Sequence, residues 1–352
     1  MPKSLFAELL KNVPASASVA IDGTSSSEFG KYVDTGSYVL NAALSGSLFG
    51  GMPDNKITVF AGESSTGKTF FILSILKAWM RQNPTGNVIY FDTESAVTNQ
   101  MLTERGLDLS RIAKVEPETI EQFRQSALAI LDNYESAQTD TPIIMVLDSL
   151  GNMSSNKEVT DVRDQKDARD MTKAQLIRGT FRVLRLRLAK LAVPMLVTNH
   201  VYAVVGAYVP TKALSGGSGL TYVSDSIAML SKSKVRDKDK NIIGNDVTIK
   251  MYKSRLSREN NEVDVRILYT GGLDRHYGLL ELAEAAGMVS SAAGRYTFPG
   301  QTKTVTAAKI AEAPETYFTQ EFLQTLDDTF VKPNFSYGQM LPVTPSPSRA
   351  KE

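Results

Sequence analysis

One segment of the sequence combines the residue types and the spacing that bind phosphate. It follows the pattern G-x-x-x-x-G-K-S/T, and its residues are Gly62, Glu63, Ser64, Ser65, Thr66, Gly67, Lys68 and Thr69. The two glycines let the backbone curl so that successive N–H groups point inward at an anion. Lys68 brings positive charge to the phosphates, and the Thr69 hydroxyl can bind Mg²⁺. The alternative is a glycine-rich turn before a surface helix.

Two acidic residues that follow apolar runs are candidates for chemistry beside this loop. Asp148 follows the run 142–147, and Glu94 comes shortly after the run 87–91. A carboxylate after a buried strand is costly unless it lies at the carboxyl edge of a sheet, where α/β proteins bind ligands. We therefore expect Asp148 to serve the metal ion and Glu94 to act as the base for water. Capping of a helix or loop is the alternative for each, and Asp92 is expected to bond the loop backbone or Thr69.

The elements that must position these residues alternate between strand and helix. Apolar runs without polar alternation predict buried strands at 56–60, 87–91, 142–147 and 193–198. Helical spacing of apolar residues predicts helices between them, at 69–81, 119–134 and 171–191. This order implies an α/β fold, in which a mostly parallel twisted sheet carries helices on both faces.

The pattern changes after residue 222. Three runs joined by polar turns predict antiparallel strands added to the sheet edge, at 227–230, 246–252 and 262–269. Beyond Gly272 we expect a small α/β segment with a helix at 279–286, a hairpin near 296–298 and a helix at 318–330.

The chain therefore divides into four predicted parts. Residues 1–32 form a short helix and a linker that docks on a neighbouring subunit, unless they are simply a frayed terminus. Residues 33–271 form the core, residues 272–341 a small C-terminal domain, and residues 342–352 a tail. That tail contains prolines and no core residues, so we expect it to be disordered.

Composition narrows the class of function. The chain has 39 Lys and Arg against 38 Asp and Glu, so its net charge of +1 gives no global sign of a nucleic-acid or membrane partner. It contains no cysteine and two histidines, which excludes disulfides, thiolate metal sites and cysteine nucleophiles. No apolar run reaches the roughly 18 residues that span a bilayer. We expect a cytoplasmic protein without a membrane partner.

These motifs, in this order and spacing, resemble the RecA family of recombinases, and in detail its UvsX-like bacteriophage branch. The likeness covers about residues 33–280 and extends beyond the phosphate loop. The further segments that carry it are 33–46, 50–53, 148–152, 170–174, 198–200 and 253–255. The resemblance implies a RecA-type P-loop ATPase core, acting in the cytoplasm of a bacterial host if the protein is phage-encoded.

The resemblance also implies that the cofactors are ATP and Mg²⁺. Lys68 and Thr69 would bind phosphate and metal, Asp148 would lie next to water bound by the metal, and Glu94 would activate the attacking water. The other loop residues and Phe70 would line the nucleotide. Family members stack a tyrosine on adenine near the position of Met101, so base packing is expected to differ here.

His200 follows the fourth predicted strand, beside the phosphate loop. The resemblance implies that it contacts the γ-phosphate and couples the nucleotide state to DNA. A buried core histidine with no such role is the alternative.

A long segment without clear periodicity follows His200, and the resemblance implies that it is the second DNA loop. Its candidate DNA contacts are Tyr202, Tyr208, Lys212, Gly216 and Gly217, because tyrosines stack on bases and lysines meet phosphates. A mobile lid with solvent-facing tyrosines is the alternative.

The first DNA loop is expected within residues 154–170, a densely charged segment of both signs. Arg169 and Arg178 are its candidate DNA contacts. Arg178, Arg182 and Arg185 share a face of the following helix and could track a DNA backbone, although such a row is usually a solvated surface.

Lys253 and Arg255 lie two residues apart on a predicted edge strand, so their side chains point to one face. Two cations on one face usually make surface salt bridges. The resemblance implies instead that they reach the γ-phosphate held by a neighbouring subunit, which makes ATP part of the interface in a helical homo-filament.

We therefore expect a DNA-dependent ATPase that forms a filament on single-stranded DNA and exchanges strands with homologous double-stranded DNA, aided by single-strand-binding and loader proteins. A RecA-fold hexameric helicase is one alternative, although the 32 residues before the core leave no room for the N-terminal domain expected of it. A non-hydrolytic ATP-gated scaffold is the other, although it would need neither Glu94 nor the Lys253–Arg255 pair.

Overall fold

The computed structural model describes residues 31–165, 172–203, 212–217 and 219–337. Within these ranges the strands are β1 (Tyr32–Val33), β2 (Met52–Pro53), β3 (Ile57–Gly62), β4 (Asn87–Asp92), β5 (Ile112–Val115), β6 (Ile143–Asp148), β7 (Met195–Ala203), β8 (Lys212–Leu214), β9 (Ser226–Arg236), β10 (Ile242–Ser254), β11 (Glu262–Leu268), β12 (Gly272–Leu273), β13 (Ser290–Ala292), β14 (Arg295–Thr297) and β15 (Val305–Thr306).

The helices lie between and after these strands. They are α1 (Tyr38–Ser45), α2 (Lys68–Gln82), α3 (Asn99–Glu104), α4 (Ile120–Ala137), α5 (Asn156–Arg163), α6 (Lys173–Lys190), α7 (Gly219–Val223), α8 (Leu279–Ala285), α9 (Ala307–Glu312), α10 (Pro314–Tyr317), α11 (Gln320–Leu326) and α12 (Lys332–Phe335). A five-residue π-helix, Asp327–Val331, joins the last two.

The main sheet of the described residues has ten strands, with β12-β11-β10-β9-β3-β7-β6-β4-β5 in order and β8 paired to β7. The strands from β9 to β5 run parallel, so their carboxyl ends meet at one edge. The register sets Gly62 opposite His200 and Asp92 opposite Asp148. The predicted α/β fold is therefore confirmed, and the sheet itself brings the candidate residues together.

Apolar residues on both sheet faces hold this arrangement. All six residues of β3 and all six of β6 are buried, which accounts for their lack of polar alternation. Phe60 stacks on Phe71 of α2 with ring centroids 5.7 Å apart, and Phe91 meets Phe123 of α4 edge-on at 5.0 Å on the other face. Each buried aromatic side chain contributes about 1.5–3 kcal/mol by removal from water.

The predicted antiparallel strands are present: β9 pairs antiparallel to β10, and β10 to β11, while β9 joins the sheet by pairing parallel to β3. Two other predictions for the segments around this sheet are wrong in detail. The strand β10 lies between β9 and β11, so it is not an edge strand. Residues 154–165, predicted as loop, include α5, whose capping box joins Ser155 and Glu158; this S-x-x-E pattern is a helix-start signal in the sequence.

The segment beyond residue 272 packs onto the same apolar cluster as α1 and α2, through residues such as Leu279, Phe298 and Phe318. The buried carboxylate of Asp327 accepts hydrogen bonds from the Leu48 N–H at 2.6 Å and the Ser47 hydroxyl at 2.7 Å. The predicted N-terminal helix and C-terminal tail lie outside the described residues. Within the described part, no helix is both long enough and apolar enough to cross a membrane.

Candidate functional site

The phosphate loop connects the end of β3 to the start of α2. Ser65 and Gly67 have positive φ values of 59° and 91°, which turn the backbone so that its N–H groups can converge. A side chain at position 62 would collide with the Thr66 hydroxyl, because its Cβ would lie 2.5 Å from Oγ1. The loop therefore requires Gly62 for close packing and Gly67 for its backbone conformation.

Lys68 points back into the loop and is almost fully buried. Its Nζ lies 3.1 Å from the Gly62 carbonyl oxygen, 2.9 Å from the Glu63 carbonyl oxygen and 3.5 Å from Nδ1 of His200. Burial lowers the pKa of Lys68, an effect that the carboxylates of Glu94 and Asp148 oppose. All three ammonium donors are directed into the site.

Thr69 and Asp148 meet as the motif predicts. The Thr69 hydroxyl donates to Oδ2 of Asp148 at 2.8 Å, and the Tyr90 hydroxyl donates to the same oxygen at 2.7 Å. The other oxygen of Asp148 accepts from the Thr198 hydroxyl. Burial, together with the nearby Asp148, raises the pKa of Tyr90 well above its usual value, so Tyr90 remains a hydrogen-bond donor.

Glu94 is held at the same edge by two donors. The Ser149 hydroxyl donates to its Oε1 at 2.6 Å, and Nε2 of His200 lies 3.1 Å from that oxygen. Burial alone would raise the pKa of Glu94, but hydrogen bonds from Ser149 and His200 and the nearby Lys68 charge lower it. An ionised carboxylate beside the phosphate loop can accept a proton from water.

Asp92 has a structural role in this site. Its carboxylate accepts hydrogen bonds from the backbone N–H groups of Glu94 at 3.2 Å and Val97 at 3.3 Å. It thus orders the loop that carries Glu94. The sequence predicted that Asp92 bonds either the loop backbone or Thr69. In the structure Asp92 bonds the loop backbone, and Thr69 bonds Asp148.

A cavity of 280 Å³ joins these residues. Lys68, Thr69, Glu94, Asp148 and His200 line one part of it. Its remaining wall includes Ser64, Ser65, Gly67, Phe70, Leu73, Met101 and Arg105. The cavity thus combines a strongly polar part with a part formed by apolar side chains and one guanidinium.

The site fits a triphosphate and a magnesium ion. Gly67 is the N-cap of α2, and no side chain caps this 15-residue helix, so its first N–H groups are open to an anion. Thr69 and Asp148 offer the hard oxygen ligands that Mg²⁺ takes alongside phosphate oxygens.

Three contributors to the site were missed by the sequence reading. Ser149 is fully buried and bonds Glu94. Lys232 of β9 donates to the Ser65 carbonyl oxygen of the loop. Arg105 lines the cavity from the residue after α3. The hydrogen bonds of Ser149 and Lys232 span 55 and 167 residues of sequence, which no local motif reveals.

Lys253 and Arg255 lie outside this cavity and are engaged within their own chain. Lys253 donates to the carbonyl oxygens of Thr221 at 2.5 Å and Ser224 at 2.8 Å, so it caps the carboxyl end of α7. Arg255 follows β10 and lies 3.6 Å from the buried Asp225 carboxylate. Their role toward a neighbouring subunit stays a prediction.

The predicted second DNA loop is anchored directly to the site. The strand β7 carries His200 and continues to Tyr202, whose side chain is 54% exposed. The Ser215 N–H donates to the His200 carbonyl oxygen at 2.8 Å. Tyr208 lies outside the described residues, and Lys212 begins the short strand β8.

The glycines after β8 pack against α6. A Cβ at Gly216 would lie 2.6 Å from Cδ1 of Ile177, and one at Gly217 would lie 3.2 Å from Cβ of Ala174. Both glycines also have positive φ values, of 79° and 75°. Their positions allow the loop to approach the helix closely, and whether they touch DNA remains a prediction.

The arginines of α6 divide into two groups. Arg178 lies over the exposed ring of Tyr222, 4.9 Å from its centroid. Arg185 instead bonds Asp225 at 3.1 Å, and Arg187 bonds Asp132 at 2.6 Å. The DNA track of Arg178, Arg182 and Arg185 stays a prediction, and Arg169 lies outside the described residues.

Comparison with known proteins gives relatives that include a phage recombination and repair protein and bacterial RecA proteins. The chain is 29% identical to the recombination and repair protein of Enterobacteria phage T4 over 251 residues, which is 71% of this chain and 63% of that protein. It is 26% identical to protein RecA of Anaplasma marginale over 269 residues, which is 76% of this chain and 71% of that protein. It is also 26% identical to protein RecA of Cereibacter sphaeroides over 266 residues, 75% of this chain and 74% of that protein.

The family comparison covers all the parts of this site, namely the phosphate loop, Glu94, Asp148 and His200. The model of the RecA N-terminal domain matches residues 9–274, which is most of the chain and includes the whole parallel part of the sheet. The chain therefore belongs to the RecA N-terminal domain family.

Proposed function

We propose that this chain is an ATP-dependent recombinase that assembles on single-stranded DNA and pairs it with homologous double-stranded DNA. The observation that carries the proposal is the continuous connection from Lys68 through His200 to Tyr202. His200 contacts Lys68 and Glu94 through its ring, and the same strand leads to the exposed Tyr202. Its backbone is also bonded to Ser215, on the far side of the predicted DNA loop.

The side chains have separate tasks in this proposal. ATP supplies the phosphoryl group that is transferred to water, and a bound Mg²⁺ would supply positive charge to the phosphate oxygens. Lys68 binds the phosphates, Thr69 and Asp148 would hold the metal ion and its water, and Glu94 takes the proton of the attacking water. His200 senses the occupancy of the site and passes it along β7 to the loop that meets DNA.

The names of the relatives support this reading, since they are called recombination and repair protein and protein RecA. The filament, the Lys253–Arg255 contact with a neighbouring γ-phosphate, and the loader and single-strand-binding partners belong to the proposal as well. Engagement of Lys253 and Arg255 within their own chain means that assembly must exchange those contacts for intersubunit ones.

ATP turnover with and without single-stranded DNA, together with electron microscopy of the same samples, tests the proposal. Single-stranded DNA should raise turnover and produce helical filaments, and Lys68→Ala should abolish turnover. Closed six-membered rings that unwind a forked duplex would favour the helicase instead. ATP binding without turnover in any DNA condition would favour the scaffold.

A further inference from the structure

The part of the cavity beyond Lys68 and Thr69 is built around a contact between Phe70 and Arg105. The Arg105 guanidinium carbon lies 4.1 Å from the centroid of the Phe70 ring, within the range of a cation–π interaction. Phe70 belongs to the first turn of α2, and Arg105 follows the last residue of α3. Two separate elements thus form one flat surface in the wall of the cavity.

Among the described residues, the contact of Arg105 with Phe70 is not accompanied by a salt bridge. Within residues 31–165, 172–203, 212–217 and 219–337, no carboxylate forms an ion pair with its guanidinium. The side chain is half-buried, and burial lowers its pKa. The Glu104 carboxylate, its neighbour in the sequence, opposes that effect of burial on the pKa. The guanidinium thus lines the cavity without a short ion pair that holds it elsewhere, and its position in the wall suits a ligand.

The neighbouring side chains indicate which ligand. Leu73 and Met101 line the same cavity and offer apolar surface. A triphosphate at the loop places its own base away from Lys68, so the apolar side of the cavity is where a flat aromatic ring can be buried. A guanidinium plane stacks on aromatic faces, which an ammonium cannot do in the same way.

We propose that Arg105 contacts the base of the bound nucleotide, its guanidinium lying between the Phe70 ring and a purine. This inference rests on the proposed function, because it concerns the nucleotide of that site. The strength of stacking depends on the area of the aromatic ring, which is larger in a purine than in a pyrimidine. A guanidinium has hydrogen-bond donors but no acceptor, so Arg105 cannot accept a hydrogen bond from the amino group of adenine. The site should therefore prefer purine to pyrimidine nucleotides and separate ATP from GTP only weakly.

The test is titration calorimetry of the full chain with Mg²⁺ and either ATP or sodium tripolyphosphate, which carries phosphates and no base. Arg105→Met should weaken ATP binding about five- to tenfold, as expected for loss of a cation–π contact, and leave tripolyphosphate binding unchanged. Methionine keeps an unbranched side chain against Phe70, so the fold should be retained. Arg81→Met is the matched control, since Arg81 lines the neighbouring cavity and is absent from the wall of this one, and it should alter neither ligand.

Two further measurements sharpen the result. Wild-type protein should bind ATP and GTP more tightly than UTP, and Arg105→Met should remove that preference. Arg105→Lys keeps the charge without the plane, so it should lose ATP affinity as Arg105→Met does; full wild-type affinity would overturn the stacking proposal.

The outcomes also separate this inference from the proposed function. Equal losses for ATP and tripolyphosphate would place Arg105 on the phosphates, and an unchanged ATP affinity would remove it from the site. In either case the proposed function would stand. Wild-type protein that binds neither ligand would overturn both.

Discussion

His200 and Glu94 form a hydrogen bond of 3.1 Å between Nε2 and Oε1 at the carboxyl edge of the sheet. The other ring nitrogen of His200 lies 3.5 Å from Nζ of Lys68. Because an ammonium can only donate, Nδ1 must accept, and the hydrogen of a neutral ring must lie on Nε2. His200 therefore links the phosphate-binding cation to the proposed base.

This arrangement predicts how replacement of His200 changes turnover. Glutamine can accept from Lys68 through its oxygen and donate to Glu94 through its nitrogen, so His200→Gln should retain DNA-stimulated turnover. Alanine can do neither, and His200→Ala should lose about 10- to 100-fold, as expected for hydrogen bonds to charged groups. Steady-state ATP turnover with saturating single-stranded DNA measures both.

Replacement of Ser149 gives a second prediction, which concerns the pH at which Glu94 becomes protonated and turnover falls. The Ser149 hydroxyl stabilises the ionised form of Glu94 at 2.6 Å, and this hydrogen bond is one of the effects that lower the pKa of Glu94. Ser149→Ala removes the donor, so that pKa should rise and turnover should fall at a higher pH than in wild type. Loss of one hydrogen bond of about 1 kcal/mol should also cost about fivefold in rate.

Ser224→Ala is the matched control for a buried hydroxyl, because Ser224 bonds the Leu220 carbonyl oxygen and not Glu94. Its pH profile should match that of wild type. An acid limb that moves equally in both variants would mean that a general loss of stability, not the Glu94 contact, causes the shift.

Features that depend on residues close together in the sequence were predicted more accurately than features that depend on distant contacts. The loop geometry at Gly62 and Gly67 is local, because backbone sterics within eight residues require glycine there. The meeting of Asp148 with Thr69 followed from a general rule, that parallel strands end at one edge. Both could be predicted without knowing the pairing of any strand.

Strand pairing beyond the parallel core could not be predicted in the same way. The place of β10 between β9 and β11 depends on contacts with two other segments, and an alternating strand has the same sequence pattern at an edge or inside. The strand β5 was missed because none of its four residues is fully buried. Lys253 bonds carbonyl oxygens at the carboxyl end of α7. No spacing within residues 253–255 indicates this contact.

The contacts of Arg255 lead to a prediction about assembly. Arg255 is partly exposed and only loosely held at 3.6 Å from Asp225, so it can turn toward a neighbour at little cost. Arg255→Ala should keep ATP binding and lose turnover by about 10³-fold or more, as for an arginine that acts in trans. Mixing Arg255→Ala with Lys68→Ala should restore part of the turnover, because some mixed interfaces pair an intact loop with an intact arginine.

No recovery at any mixing ratio would contradict action in trans. Arg258→Ala serves as the control, since Arg258 donates to the Pro333 and Ser336 carbonyl oxygens of its own chain. It should lower stability without a selective loss of turnover.

Tyr202 gives the prediction closest to DNA. Its ring is 54% exposed two residues beyond His200, on the strand that enters the predicted loop, and base stacking on an aromatic contributes about 1–3 kcal/mol. Tyr202→Ala should therefore weaken single-strand binding by that amount, measured by fluorescence anisotropy with a labelled oligothymidylate at fixed salt. Tyr252 is similarly exposed, at 50%, but lies on β10 and not on the strand that carries His200, so Tyr252→Ala should leave the affinity unchanged. A loss of equal size in both variants would mean that exposed tyrosines act generally, and an unchanged affinity in Tyr202→Ala would remove this side chain from the DNA interface.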